Sequence, residues 1–276
     1  MRGEPTSLDG RRTRICVLGL GEAGAAIAGD LAAHDAVDVH GYDPGTADTP
    51  PGVERHHDVR RAVTDAELVL AITPAADATT ALVQALDTIS GEAVYADLST
   101  AAPRLKQRLA GLAAAAGLRF VDVALMSPVP GGGLRTPALA SGPAAVSFVA
   151  TMRPLGMPVE AVGDEPGRAA AAKLLRSVLM KGLAAVLIES LRAAEAAGLA
   201  AETWENLVTQ LGAIDEPLVR RLVSGTGTHA RRRLHEMEAA IDLLAEVGVD
   251  PLMTRSTVAH LRRLVDAPDD LPPLPE

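Results

Sequence analysis

The chain has 276 residues, a formal net charge of −9 and a pI near 5.3, and is 48% hydrophobic but only 2% aromatic. This length suits one large domain or two ordinary ones, with a core built from Ala, Leu and Val. The acidic balance excludes nucleic acid or an anionic membrane surface as the main partner, and the single cysteine, Cys16, excludes a disulfide framework within one chain and fits a reducing, cytoplasmic compartment.

The N-terminal residues lack the apolar core of a signal peptide, and no apolar run reaches the ~20 residues of a membrane span. Residues 1–12 and 267–276 are expected to be flexible tails. Residues 14–18 (RICVL) read as a strand, followed at once by GLGEAG and an Ala-rich helix to about Ala33. Residues 37–42 (VDVHGY) form the next strand, which ends at the turn Asp43-Pro44-Gly45. Further strands are expected at residues 68–73, 93–96 and 119–123, with helices at 76–89 and 103–116 between them. Residues 126–142 are too rich in Pro and Gly for regular structure until their end, and residues 144–150 and 158–162 are candidate further strands. This alternation predicts an α/β, Rossmann-type, doubly wound parallel sheet with helices on both faces, occupying residues 13–165.

A long helix follows, from Gly167 to Gly198, preceded by Pro166 as a start signal. The later helical runs fall near residues 201–211, 216–223, 230–247 and 251–265, with breaks at Gly225-Thr226-Gly227 and at Gly248. Residues 166–266 are therefore expected to form an all-helical domain joined to the sheet domain by the long helix.

The GLGEAG turn stands in the context that a dinucleotide site requires, after a strand and opening a helix, with Asp43 at the end of the next strand. Gly19 permits the tight turn, Gly21 lets a pyrophosphate approach the backbone, and Gly24 allows close helix–strand packing. Leu20, Glu22 and Ala23 complete the loop, whose helix N-terminus offers amide hydrogens to the phosphates. Asp43 can accept hydrogen bonds from the ribose hydroxyls, which favours NAD over NADP; Arg55, Arg60 or Arg61 could instead bind a 2′-phosphate. Thr73 and Pro74, at the end of a later strand, join the candidate cofactor contacts.

Lys173, Ser177 and Lys181 are spaced i, i+4, i+8 on one face of the long helix. The chain's default cation is Arg, and an Arg cannot lose its proton, whereas a desolvated Lys can. The lysines thus point to proton exchange of the kind that accompanies hydride transfer to or from a carbon–oxygen bond. The seven histidines show no metal spacing, and neither a GxSxG elbow nor a GK[ST] loop occurs.

The GLGEAG loop, the segment Asp97-Leu98-Ser99-Thr100 before Pro103, the loop from Asp122 to Gly133, and Gly167 six residues before Lys173 together resemble the β-hydroxyacid dehydrogenase superfamily. That superfamily includes 3-hydroxyisobutyrate dehydrogenase, 6-phosphogluconate dehydrogenase and the related imine reductases. Residues 121–130 (VDVALMSPVP) and Glu236-Met237-Glu238 look most like a 6-phosphogluconate-dehydrogenase-like branch with its own C-terminal domain. The resemblance implies an NAD- or NADP-dependent oxidoreductase whose helical domain builds a homodimer and whose site lies in the cleft between domains. It implies Lys173 as general acid/base, Ser99 and Thr100 beside the nicotinamide ribose, and Ser127, Gly131 and Gly132 around a substrate carboxylate. Arg176 and Ser177 stand where the superfamily usually has Asn; Arg176 can grip a carboxylate and Ser177 can hydrogen-bond. A small hydroxy acid or its keto form is the expected substrate, with Lys181 a further candidate contact. An imine reductase, or a cofactor-binding protein without turnover, is the alternative.

Overall fold

The computed structural model describes residues 11–45, 48–268 and 270–275. Most of the expected N-terminal tail, and Asp269 and Glu276 of the C-terminal one, lie outside the described residues. The chain divides into two compact units, Met1–Arg176 and Ser177–Glu276, so Lys173 and Arg176 belong to the first while Ser177 and Lys181 belong to the second.

In the first unit, eight strands form one sheet: β1 (Thr13–Leu18), β2 (Val37–Tyr42), β3 (Val53–Arg55), β4 (Leu68–Ala71), β5 (Val94–Asp97), β6 (Arg119–Leu125), β7 (Ala138–Ser141) and β8 (Val159–Ala161). Their order across the sheet is β3-β2-β1-β4-β5-β6-β7-β8. The first six strands run parallel, as crossover connections allow; β7 pairs antiparallel to β6, and β8 runs parallel to β7. Side chains alternate between two cores. Ile15 and Val17 of β1 pack on one face with Ile27 and Leu31 of α1 (Glu22–Ala32). Cys16 and Leu18 pack on the other, with α2 (Val59–Val63), α3 (Ala78–Leu86) and α4 (Pro103–Ala115). The near-continuous apolar runs are those of strands buried on both faces.

Two local expectations are corrected, and two short elements are added. Residues 144–150 are not a strand but lie mostly in α5 (Ala145–Met152), which buries Ala145, Phe148 and Met152 at helical spacing. A short apolar run does not distinguish the two by composition. β3 and α2 were not legible, being three and five residues long. Gly225-Thr226-Gly227 does not break its helix, which continues as α8 (Glu216–Thr228).

The long helix, α6 (Arg168–Ala196), passes from the first unit into the second. The second unit adds α7 (Ala200–Gly212), α8, α9 (Ala230–Glu246) and α10 (Leu252–Asp266). Glu189 of α6 reaches the start of α10, where its carboxylate accepts the amide hydrogens of Met253 and Thr254 at 2.7 and 2.9 Å and the Thr254 hydroxyl at 2.6 Å. That bridge satisfies amides left open at a helix N-terminus. No helix among the described residues is long and apolar enough to cross a membrane.

Candidate functional site

The candidate cofactor residues collect where parallel strands end. The glycine turn follows β1, Asp43 follows β2, Thr73 and Pro74 follow β4, and Ser99 and Thr100 follow β5. The order β3-β2-β1-β4-β5-β6 reverses between β1 and β4, and in open α/β sheets ligands bind beside the carboxyl ends of the strands at such a switch.

Each glycine of the turn has a separate cause. Gly19 has φ +97°, and a Cβ there would collide with the Ile72 carbonyl at the end of β4. A Cβ at Gly24 would collide with the Gly19 carbonyl, so α1 can start this close to the turn only with glycine. A Cβ at Gly21 would meet nothing within 4 Å: the space above this residue is open. Gly21 also caps α1 without any side-chain hydrogen bond to the first helical amides. Nearby, the buried Thr73 Oγ1 has no hydrogen-bond partner among the described residues. An open backbone cradle, a helix N-terminus without a side-chain cap and an orphaned hydroxyl fit a pyrophosphate and its ribose.

Asp43 organises the turn. Its Oδ2 accepts the Leu20 amide at 2.7 Å and its Oδ1 accepts the Gly45 amide at 2.7 Å. Arg55 donates to the carbonyls of Asp43 and Gly45 at 3.0 and 2.6 Å, which places a guanidinium beside the acid. Glu22 is exposed in the first turn of α1, and Ala23 packs on the core beneath it.

At the end of β5, Ser99 and Thr100 diverge. Ser99 is buried and its hydroxyl donates to Asp97 Oδ1 at 2.6 Å, whereas Thr100 is exposed and its Oγ1 accepts from Lys173 Nζ at 3.0 Å. Lys173 is thereby held over the same strand ends as the glycine turn. The loop after β6 carries Ser127, Gly131 and Gly132, of which Ser127 and Gly131 are exposed. Asp30 of α1 pins the far end of that loop by accepting the Leu134 amide at 2.8 Å. Arg176 is exposed on α6, while Ser177 and Lys181 extend the Lys173 stripe by one and two turns on the part of α6 assigned to the second unit.

Sequence reasoning missed the buried network beneath Lys173. Lys106 of α4, the third of the chain's lysines, is fully buried and forms ion pairs with Asp97, at the end of β5, and with Asp122 Oδ1 of β6 at 3.2 Å. Asp122 Oδ2 accepts the amides of Gly167 at 3.1 Å and Ala170 at 3.0 Å and the Ser141 hydroxyl at 3.1 Å, and the Ser141 oxygen accepts the Ala169 amide at 3.0 Å. The excess negative charge of two carboxylates and one ammonium faces the N-terminus of a 29-residue helix, where anions are stabilised. Gly167, with φ +94°, lets this helix start against α4: a Cβ would lie 2.8 Å from the Pro103 carbonyl oxygen. The available signal was the lysine itself, standing in a chain that otherwise uses Arg.

Residues 14–143 match the NAD binding domain of 6-phosphogluconate dehydrogenase, and residues 194–264 match a domain of unknown function, DUF1932. A conserved hypothetical protein from Sinorhizobium meliloti 1021 is 32% identical, the match covering 94% of this chain and 90% of that one, with a TM-score of 0.63. A conserved protein of unknown function whose structure revealed similarity with 3-hydroxyacid dehydrogenases is 28% identical, covering 92% and 97% of the two chains with a TM-score of 0.60. An imine reductase from Myxococcus stipitatus, solved as a variant with NAD+, is 17% identical over 93% of this chain and 94% of its own, with a TM-score of 0.79, and shares the fold.

Proposed function

Because the chain belongs to the 6-phosphogluconate dehydrogenase-like family, in the branch that joins an NAD-binding domain to DUF1932, we propose that it transfers hydride between a nicotinamide cofactor and a small hydroxy acid or its keto form. The nicotinamide supplies the hydride acceptor or donor. Gly19, Leu20, Gly21, Glu22, Ala23 and Gly24 hold the pyrophosphate, and Thr73, Pro74, Ser99 and Thr100 border the ribose and nicotinamide. Asp43 orients the adenosine ribose and favours NAD, since a carboxylate at the end of β2 repels a 2′-phosphate.

The observation that carries the reading is the Lys173–Thr100 contact of 3.0 Å at the strand ends. In the oxidative direction the neutral Lys173 amine takes the proton of the substrate hydroxyl; in the reverse direction the ammonium returns it to the carbonyl oxygen. Thr100 fixes the direction of Nζ, and the network under Gly167 fixes the turn of helix that carries it. The amides of Gly131 and Gly132, with Ser127 and Arg176, grip the substrate carboxylate.

The protein acts as a homodimer through its helical unit. The support is a monomer that leaves apolar helix faces bare: α7 and α8 bury no residue, and Trp204, Val208, Val219 and Leu222 are all exposed.

The test is a panel of 2- and 3-hydroxy acids, aldehydes and cyclic imines, run with NAD(H) and NADP(H) and followed by the absorbance of the reduced nicotinamide. Turnover of a hydroxy acid with NAD is the expected result. Turnover confined to imines moves the chemistry to imine reduction, and tight NADH binding with no turnover leaves a cofactor-binding protein.

A further inference from the structure

At the sheet edge next to the Asp43 turn, paired strands bring three metal-ligating side chains to one face. Register pairs His40 of β2 directly with Glu54 of β3, and His56 follows Glu54 by two residues, the spacing that returns a side chain to the same face. The His56 amide donates to the Gly41 carbonyl at 2.8 Å and holds the chain in this alignment beyond the end of β3. The outcome is a group of ligand atoms, one each from His40, Glu54 and His56, all within 4.8 Å of one another. No sequence spacing reveals it, since the two histidines lie 16 residues apart, His40 on β2 and His56 just past the end of β3.

The hydrogen-bonding around His40 selects which nitrogen is presented. His40 is buried, and its Nε2 lies 3.0 Å from Asp38 Oδ2, an oxygen that also accepts from Arg14 Nε at 3.3 Å. A carboxylate on Nε2 holds the proton there and leaves the Nδ1 lone pair facing His56 Nε2 at 2.7 Å. The ring planes are within 15° of parallel and their centroids are 5.0 Å apart, a distance that with nitrogens 2.7 Å apart leaves them nearly head-on. Something electrophilic must lie between two such atoms, either one proton or a metal ion. Glu54 adds negative charge at that point, with its oxygens 4.0 Å from His40 Nδ1 and 3.7 Å from His56 Nε2.

We propose that His40 Nδ1, His56 Nε2 and the Glu54 carboxylate bind a divalent transition-metal ion of the zinc class, with Asp38 orienting His40 from behind and water as the fourth ligand. Two imidazoles and one carboxylate suit zinc, and the carboxylate–histidine–metal relay supplied by Asp38 raises the basicity of the ligand nitrogen. Zinc–nitrogen bonds of about 2.0–2.1 Å at a tetrahedral angle set the two nitrogens roughly 3.3 Å apart. Binding therefore opens the pair by about half an ångström, turns the two rings out of their head-on line toward a tetrahedral angle, and draws in the exposed Glu54 side chain. The ion would tie the three-residue edge strand β3 to β2, directly before the Arg55 contacts that brace the Asp43 turn.

The test uses the full chain, freed of any affinity tag and stripped with chelator, then dialysed to equilibrium against zinc chloride, with cobalt chloride in parallel for its tetrahedral visible spectrum. One equivalent of zinc is expected in the wild type, with retention in His57→Gln and at least a tenfold loss of affinity in His56→Gln and in Glu54→Gln. Asp38→Asn is expected to weaken binding by about 10–100-fold. Circular dichroism and NADH binding show that each variant is folded; His40→Gln removes a buried group, so the decision rests on the two outer ligands. Less than stoichiometric zinc in the wild type, or uptake that survives in both His56→Gln and Glu54→Gln, overturns the proposal and leaves a proton between the rings.

Discussion

Asp122 caps a helix far from it in sequence: its Oδ2 accepts the Ala170 amide at 3.0 Å although 48 residues separate the two. The same oxygen also accepts from Gly167, and the other oxygen faces Lys106. Asp122→Ala leaves the amides of Gly167 and Ala170 and the Ser141 hydroxyl without this acceptor and Lys106 with one carboxylate fewer. Breaking a buried pair in this way costs about 3–5 kcal/mol. A urea denaturation series is expected to show a loss of that order, and Asp122→Asn, which keeps the shape and one acceptor oxygen, a smaller one.

Lys173→Ala is expected to lower turnover at least ~10²-fold, the usual contribution of one positioned acid/base, while the dissociation constant for NADH is unchanged. Lys173→Arg is expected to fail as well, because a guanidinium does not give up its proton. Near-normal turnover in either variant removes Lys173 from the chemistry.

Asp43→Asn replaces a carboxylate that accepts two amide hydrogens, from Leu20 and Gly45, with a group that has one acceptor oxygen. The substitution also weakens the proposed bond from the adenosine ribose to this carboxylate; a hydrogen bond to a charged group is worth about 1.5–3 kcal/mol, so the expected loss in NADH affinity is roughly tenfold or more. NADPH binding is expected to fall less or to improve. Fluorescence titration with both cofactors measures the two effects side by side.

Glu189 links α6 to α10, and its acidity reports on that joint. Burial by itself would raise its pKa, but hydrogen bonds from the Thr254 hydroxyl and from backbone amides at the start of α10 outweigh it and hold the value below the ordinary 4.5. Between the lowered folded value and 4.5 the unfolded chain binds more protons than the folded one, so stability rises with pH across that window. The contribution is complete above pH 4.5 and lost as pH falls through the folded value. Thermal melts are expected to decline more steeply below pH 4.5 in the wild type than in Glu189→Gln.

Trp204 is the chain's only tryptophan and is 58% exposed in the isolated chain. If α7 belongs to a homodimer interface, its emission shifts to the red on dilution, and Trp204→Asp elutes as a monomer in size-exclusion chromatography. A monomeric wild type at high concentration removes the dimer.

Legibility followed the range of the interactions involved. The glycine turn was readable because Gly19 and Gly24 answer to neighbours that the β–turn–helix grammar already specifies. Lys173 was readable because a stripe at i, i+4, i+8 is a local property of a helix. The Lys106–Asp97–Asp122 network was not, since which acid a buried lysine meets depends on how α4 lies across β5 and β6. α5 was misread because a helix of eight residues and a buried strand show the same short apolar run. Gly225 and Gly227 did not interrupt α8, where intrinsic preference is only a weak prior against the surrounding structure.

The sheet ends in β3 on one side and β8 on the other, each only three residues long, and each carries an exposed glutamate, Glu54 or Glu160, at its centre. Unpaired strand edges invite growth by addition of another chain, and short, charged edges discourage it. The sheet is therefore blunted at both borders, so that backbone pairing between copies, which need not stop at two, is discouraged at each.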